Sequence, residues 1–323
     1  MNAMNRRNAL SWMGGMLALP SFSTYASTKV LRIIVAAQAG GTPDIVARLL
    51  AERLAPVLGR PVIVENKPGA GGGIGIQTLL NAPADGDTLI VGASNILTEI
   101  PHVLKTRFNP LTDLRPIALL AQSNMVLVAS PSLPKDFKAM TTYLQKSPGA
   151  YSYASYSTGT SSHYAGLLFA KRLGIEMQHI PFLGSPPALV EIMAGRVSIM
   201  FDGIYTSKPL IDSGKLNAYA VTSEKRSLQL PNIPTMGELG LPEINFSNWI
   251  GVIGSSKISE EVLAKLHESI IACTSDKGYQ DAIVKGGFDL VKTVSMGNIK
   301  AITTKEHHDN GDIVKKFNIN INS

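Results

Sequence analysis

The chain has 323 residues, 45% hydrophobic and 17% charged, with a formal net charge of +6 and one cysteine. The lone thiol excludes an internal disulfide. The basic residues are scattered and not interleaved with aromatics, which argues against a nucleic-acid partner.

Residues 1–26 read as a secretory signal peptide. Arg6 and Arg7 supply a positive start, Ala9 to Leu19 is short and apolar, and Thr24-Tyr25-Ala26 offers small residues for cleavage. The apolar run falls short of the roughly 20 residues a bilayer needs, and no later stretch reaches that length uninterrupted. Export through the Sec or the twin-arginine route stays open. The mature chain, at about +4 without Arg6 and Arg7, is expected to be soluble and periplasmic, with no membrane insertion. That mild positive balance fits an anionic ligand without demanding one.

Val30–Ala37 is a β-branched apolar run and predicts a buried strand. After Gln38-Ala39-Gly40-Gly41, Thr42-Pro43-Asp44 opens a helix as a capping residue followed by proline, with Ile45, Val46, Leu49, Leu50 and Leu54 on one side. Pro61–Glu65 is a second strand. The glycine-rich turn Gly69–Gly75, a helix over Ile76–Leu80 and a turn at Ala84–Asp87 follow, and Thr88–Gly92 is a third strand ending in the polar loop Ser94-Asn95. The alternation then restarts: Met125–Ala129 is apolar, Phe137–Gln145 a helix, and Tyr151–Tyr156 a strand that delivers Ser157 to His163. A helix over Tyr164–Leu173 and strands over Met177–Pro181, Val197–Asp202 and Lys215–Thr222 follow, with a helix over Pro187–Ala194 between the first two strands. Trp249–Ile253 and two helices, Glu260–Thr274 and Lys277–Lys285, close the pattern. Cys273 sits in the apolar stripe of the first of these helices, as a buried structural residue does.

Strand–helix alternation that stops and restarts predicts an α/β chain of two lobes, each a sheet flanked by helices, with a ligand cleft between. Residues 27–123 with 247–323 form the first lobe and residues 124–246 the second. Ligands in open α/β sheets sit beyond the carboxyl ends of the strands, which nominates the loops Gln38–Asp44, Ser94–Asn95, Ser157–His163 and Phe182–Gly184. Two of these share a design: a strand ends, small residues expose backbone N–H groups, and a helix begins. The amides at a helix start attract anions without a cationic side chain, although the same residues also serve as ordinary caps.

Three residues near these loops admit two roles each. Asp44 either orients its loop and helix or meets an ammonium group on the ligand. Asp202, at a strand end, either contacts ligand or supports the hinge. His163 either makes a structural hydrogen bond or touches the ligand.

Catalytic arrangements fail on spacing. No G-x-S-x-G elbow surrounds Ser94 or Ser161, and Ser161 and His163 lie two apart, on different helical faces. Gly69–Gly75 admits no G-x-G-x-x-G register, and His267-Glu268 has no second histidine at Ile271. His307-His308 are adjacent, lack ligand spacing, and are expected on the solvent face of the last helix. No catalytic residue, cofactor or metal is therefore expected, and the chain reads as a non-enzyme.

Gly40-Gly41-Thr42-Pro43-Asp44-Ile45-Val46-Ala47-Arg48, Val64–Gly72 and Ala84–Leu89 together resemble the Bug receptors, the periplasmic binding components of tripartite tricarboxylate transporters. Tyr153–Ser155, Gly159–His163, Pro181–Ala188, Gly195–Val197, Met200–Asp202, Gly214–Leu216 and Leu230–Thr235 extend the resemblance in the family's order from about Val30 to Thr293. It implies a two-lobed "Venus flytrap" that closes on a small carboxylate (a di- or tricarboxylic acid, an aromatic acid or an acidic amino acid) and hands it to membrane transporter subunits. A sensor that signals is the alternative recipient, and the receptor is expected to be a monomer. It nominates Gly40, Gly41, Thr42, Asp44, Gly159, Thr160, Ser161, His163 and Gly184 as ligand contacts. The chain departs from the family pattern at Ala36-Ala37-Gln38-Ala39, where a proline- and phenylalanine-containing stretch is usual, and at Tyr156-Ser157.

Overall fold

The computed structural model describes residues 29–316, so the expected signal peptide lies outside the described residues. Strands β1 (Leu31–Val35), β2 (Val62–Asn66) and β3 (Thr88–Ala93) alternate with helices α1 (Thr42–Leu58) and α2 (Gly73–Leu80). They pair in parallel with β1 in the middle, Ile33 opposite both Val64 and Leu89. A short helix, α3 (Asn95–Thr98), occupies the expected loop after β3. β4 (Leu114–Ala129) follows, then α4 (Phe137–Gln145), β5 (Tyr151–Ser155), α5 (Ser161–Leu173) and β6 (Met177–Pro181). Next come α6 (Ser185–Met193), β7 (Ile199–Gly203), α7 (Ile204–Asp212) and β8 (Asn217–Val221). β9 (Ser247–Ser255) and helices α8 (Glu260–Ser275), α9 (Lys277–Lys285) and α10 (Met296–Lys316) complete the described residues.

The strands run in the order β2-β1-β3-β9-β4-β7-β5-β6, with β8 also on β4. The α/β two-lobed expectation holds, and one strand joins the lobes. β4 is 16 residues long; its first part pairs antiparallel with β9 as far as Asn124 opposite Ser247, and from Met125 it pairs with β7 and β8 instead. The sequence reading caught only its last five residues. Pro116 and two register shifts interrupt its first part, and proline is tolerated in a sheet at such bulges.

Each lobe has its own core. Val46, Leu50 and Leu54 of α1 meet Leu263, Leu266 and Ile270 of α8 over the inward residues of β1, β3 and β9. On the other face, Ile34 and Ile90 pack with Ile76, Leu97, Ile100 and Trp249. In the second lobe, Leu127, Tyr153 and Phe201 support Tyr164, Leu168 and Phe169 of α5, while Ala188 and Ile192 of α6 cover the opposite face. Cys273 is buried in the first core. Ile313 and Val314, near the end of α10, reach the second lobe's core, so the last helix straps the two lobes together.

Three local expectations need correction. Thr42 is the first helical residue and not the cap; Gly41 caps α1 with its backbone alone, because Asp44 supplies the side-chain acceptor that orders this loop. α5 starts at Ser161, three residues before the expected start, and α7 was not foreseen because Pro209 interrupts its apolar pattern. His307 is not on the solvent face. Its Nδ1 lies 2.7 Å from the Leu97 carbonyl oxygen, and its own carbonyl oxygen lies 2.7 Å from His102 Nε2.

Candidate functional site

Between the lobes lies a partly enclosed cavity of about 100 Å³. A single water needs roughly 10–15 Å³ of such space, so there is room for a small organic molecule. Gln38, Gly41, Thr42, Pro68, Gly72, Asn95, Asn248 and Ile250 line it from the first lobe; Ser157, Thr160, Gly184, Ser185 and Gly203 line it from the second. The lobes touch around it. A Cβ added at Gly184, whose φ is +132°, would lie 3.0 Å from Gln38 Cβ, and one at Gly203 would lie 2.9 Å from Thr42 Oγ1. Glycine is required at residue 184 by its backbone and by this approach.

The cavity's electrostatics come from the backbone. Helices α1, α2, α5, α6 and α7 all begin at its wall, marked by Thr42, Gly72, Thr160, Ser185 and Gly203, and the short α3 begins there at Asn95. Each start leaves amides without intrahelical partners and carries about half a positive charge. No Arg, Lys, His, Asp or Glu is among the lining residues. Its one phenol, Tyr156, donates to Met125 Sδ and is held protonated, its pKa raised well above the ordinary value by burial and the nearby carboxyls of Glu99 and Asp202. Convergent helix starts without side-chain cations suit an anion held by amides and hydroxyls.

Of the residues nominated from sequence, Gln38, Gly41, Thr42, Asn95, Ser157, Thr160 and Gly184 line this cavity. Ala39 and Gly40 are exposed beside it, and Phe182 lies at the cleft mouth with Leu183 and Leu104. The others stand behind the wall and shape it. Asp44 is buried; its carboxylate accepts from the Gly40 amide at 2.9 Å, from Arg48, and from Asn66 at 2.9 Å. Burial alone would raise its pKa, but Arg48, the Gly40 amide and Asn66 hold it below the usual range. These contacts tie the Asp44 carboxylate to its own loop, to α1 and to the end of β2.

His163 accepts the Gly159 amide on Nδ1 at 3.2 Å and stacks on His179 at 3.8 Å. Burial pushes its pKa down to about 3 and that of His179 to about 4, so both rings are neutral near pH 7. His179 in turn lies 2.7 Å from Ser155 Oγ, which donates to the Ser157 carbonyl. The imidazole pair thus fixes the backbone of the Ser157–Thr160 loop.

Asp202 is fully buried and accepts from Thr206 and Ser207 at the start of α7, at 2.5 and 2.7 Å. Ser94 donates to Asn248 Oδ1, and Asn248 donates to Ser161 Oγ at 2.7 Å. Ser161 Oγ lies 2.7 Å from both carboxyl oxygens of Glu99. Burial, with the Glu306 charge adding, raises the Glu99 pKa to about 8 despite that hydroxyl. Tyr164 Oη also donates to the Glu99 carbonyl. Glu99 belongs to the first lobe and α5 to the second, so these bonds tie the lobes together beside the cavity.

Sequence reasoning missed Glu99, Asn248, Ser185, Gly203 and the wall formed by Gly69, Gly71 and Gly72. Glu99 carried a usable signal, an acid inside the apolar run Ile96–Ile100. Asn248 carried none, since its partner Ser161 is 87 residues away.

The family model described as "Tripartite tricarboxylate transporter family receptor" matches residues 46–319. The protein BugT of Bordetella pertussis is 32% identical over 279 residues, covering 84% of each chain. A Rhodopseudomonas palustris protein solved with adipate superposes at a TM-score of 0.86 with 27% identity, covering 91% of this chain and 99% of its own. MatC from the same organism, solved with bound malate, gives 0.83 and 27%, covering 88% and 99%.

Proposed function

The chain belongs to the tripartite tricarboxylate transporter family of receptors, and from that premise we propose that it is a periplasmic solute-binding protein, without catalytic activity, that captures a small carboxylate for uptake. The observation that carries this reading is the convergence of helix starts from both lobes on a cavity lined by no charged side chain. The malate and adipate bound by the two relatives agree with it. Among the described residues no helix is long and apolar enough to cross a membrane.

Mechanistically, the carboxylate first meets the Gln38–Thr42 loop and the start of α1 on the first lobe. Closure brings the start of α5 at Thr160 and that of α6 at Gly184–Ser185 across it. Closure excludes water and strengthens each hydrogen bond, and these extra contacts in the closed form are what the ligand contributes to the equilibrium. Asp44, His163, Asp202 and Ser161 act through the loops they hold. The lobes in this reading are residues 27–123 with 247–323, and 124–246. Membrane transporter subunits are the recipient of the loaded monomer.

Thermal unfolding of refolded, ligand-free protein tests this against matched acid and amide pairs, such as succinate with succinamide and benzoate with benzamide. A ligand at 100 times its Kd adds about 2.7 kcal/mol, well within reach of the assay. Stabilisation by acids and not by their amides is expected. Equal stabilisation by both members, or by neither across a broad panel, would overturn the reading.

A further inference from the structure

We propose that the ligand is an amphipathic carboxylate, with its acid group in the enclosed cavity and an apolar tail in a groove at the cleft mouth. The inference rests on the carboxylate reading above and narrows it to a chemical class. The groove, of about 760 Å³, is open to solvent and lies directly outside the cavity. Gln38, Gly71, Ser157 and Leu183 line both spaces, so one leads into the other.

The chemistry of the wall changes along that path. Inside, helix starts present amides and hydroxyls, as at Thr42, Thr160 and Ser185. The groove alone is lined by Ala70, Leu104, Thr158, Pro181, Phe182 and Pro187, of which only Thr158 carries a polar side chain. No Lys, Arg or His lines it to meet a charged group at the far end of a ligand. Leu183, 57% exposed at the junction, is part of a contiguous apolar patch with Leu104, Phe182 and the two prolines, not a lone exposed residue. A tail lying there takes apolar surface out of water with each methylene. Ala70 and Leu104 come from the first lobe, Phe182 and Pro187 from the second, so the same tail touches both and favours the closed form. The reverse orientation would leave the carboxylate without a partner in the groove and set the tail against the helix starts.

Isothermal titration of the refolded protein with butanoate, hexanoate, octanoate, succinate and adipate tests the proposal. Binding should tighten about two- to fourfold with each added methylene, which makes octanoate at least about 15-fold tighter than butanoate. Pro187→Glu places a carboxylate on the groove wall at an exposed residue that does not line the cavity. It should weaken octanoate about tenfold and leave butanoate unchanged. Octanoate no tighter than butanoate, or heat from succinate and adipate alone, would overturn this inference and leave the carboxylate reading standing. A Pro187→Glu variant that binds octanoate as the wild type does would place the tail elsewhere and overturn the groove assignment. Heat from none of these acids, nor from any other, would overturn both readings.

Discussion

Replacing Glu99 by glutamine should remove a pH dependence of stability that is built into the contact between the lobes. The Glu99 carboxyl is fully buried against Ser161, and burial with the nearby Glu306 charge raises its pKa from 4.5 to about 8. In the unfolded chain the same group loses its proton as pH rises through about 4.5. Between these values the folded protein binds more protons than the unfolded one. Stability attributable to Glu99 is therefore full below about pH 4.5, falls as pH rises toward about 8, and is level above. Each pH unit of that interval is worth about 1.36 kcal/mol, which makes the whole effect roughly 3–5 kcal/mol. Glu306, raised to about 7 chiefly by burial, contributes in the same direction. Urea unfolding of the wild type and Glu99→Gln from pH 5 to pH 9 measures the difference directly, and subtraction cancels the groups the two proteins share. The variant should gain on the wild type as pH rises. Because opening the lobes hydrates this carboxyl, ligand affinity should weaken over the same interval in the wild type and less in the variant. Parallel stability curves for the two proteins would refute the reasoning, since they would mean that Glu99 carries the same charge in both states.

Three further substitutions probe the site. Gly41→Leu adds a side chain at a cavity-lining residue with ordinary φ of −77°, its Cβ 3.1 Å from the Gln38 carbonyl oxygen, so the ligand's thermal shift should vanish while circular dichroism stays close to wild type and the ligand-free melting temperature falls only modestly. Gly184→Val adds a Cβ 3.0 Å from Gln38 Cβ at a backbone φ of +132°; affinity should fall about tenfold or more, and small-angle scattering with ligand should record a more open molecule. His163→Ala deletes the acceptor of the Gly159 amide and should cost about 1–3 kcal/mol of stability. His163 is held at about 3 by burial, below its unfolded 6.5, so the wild type loses stability as pH falls from about 6.5 toward 3. The variant should show a shallower acid slope, and an unchanged slope in denaturant titrations would place the proton elsewhere.

The order of elements was legible because its signals are local. Val30–Ala37 and Tyr151–Tyr156 announce strands by composition, and Gly40–Pro43 and Gly159–Ser162 announce helix starts by small residues and backbone rules. Two alternations separated by a break were enough for two α/β lobes, and the strand-end loops include seven nominated residues that line the cavity between them. Which way the titratable side chains of those loops turn was not legible. Asp44, His163 and Asp202 sit in the right loops, yet each turns to a partner brought near by the fold: Asn66 across β2, His179 on β6, and the start of α7. Asn248 and Glu99 meet at Ser161 over separations of 87 and 62 residues, and no window of the sequence contains both ends of either contact. Helix and strand propensities act over one or two turns of chain. The identity of the cavity's wall depends on where β4 carries the chain from one lobe to the other, and packing alone decides that.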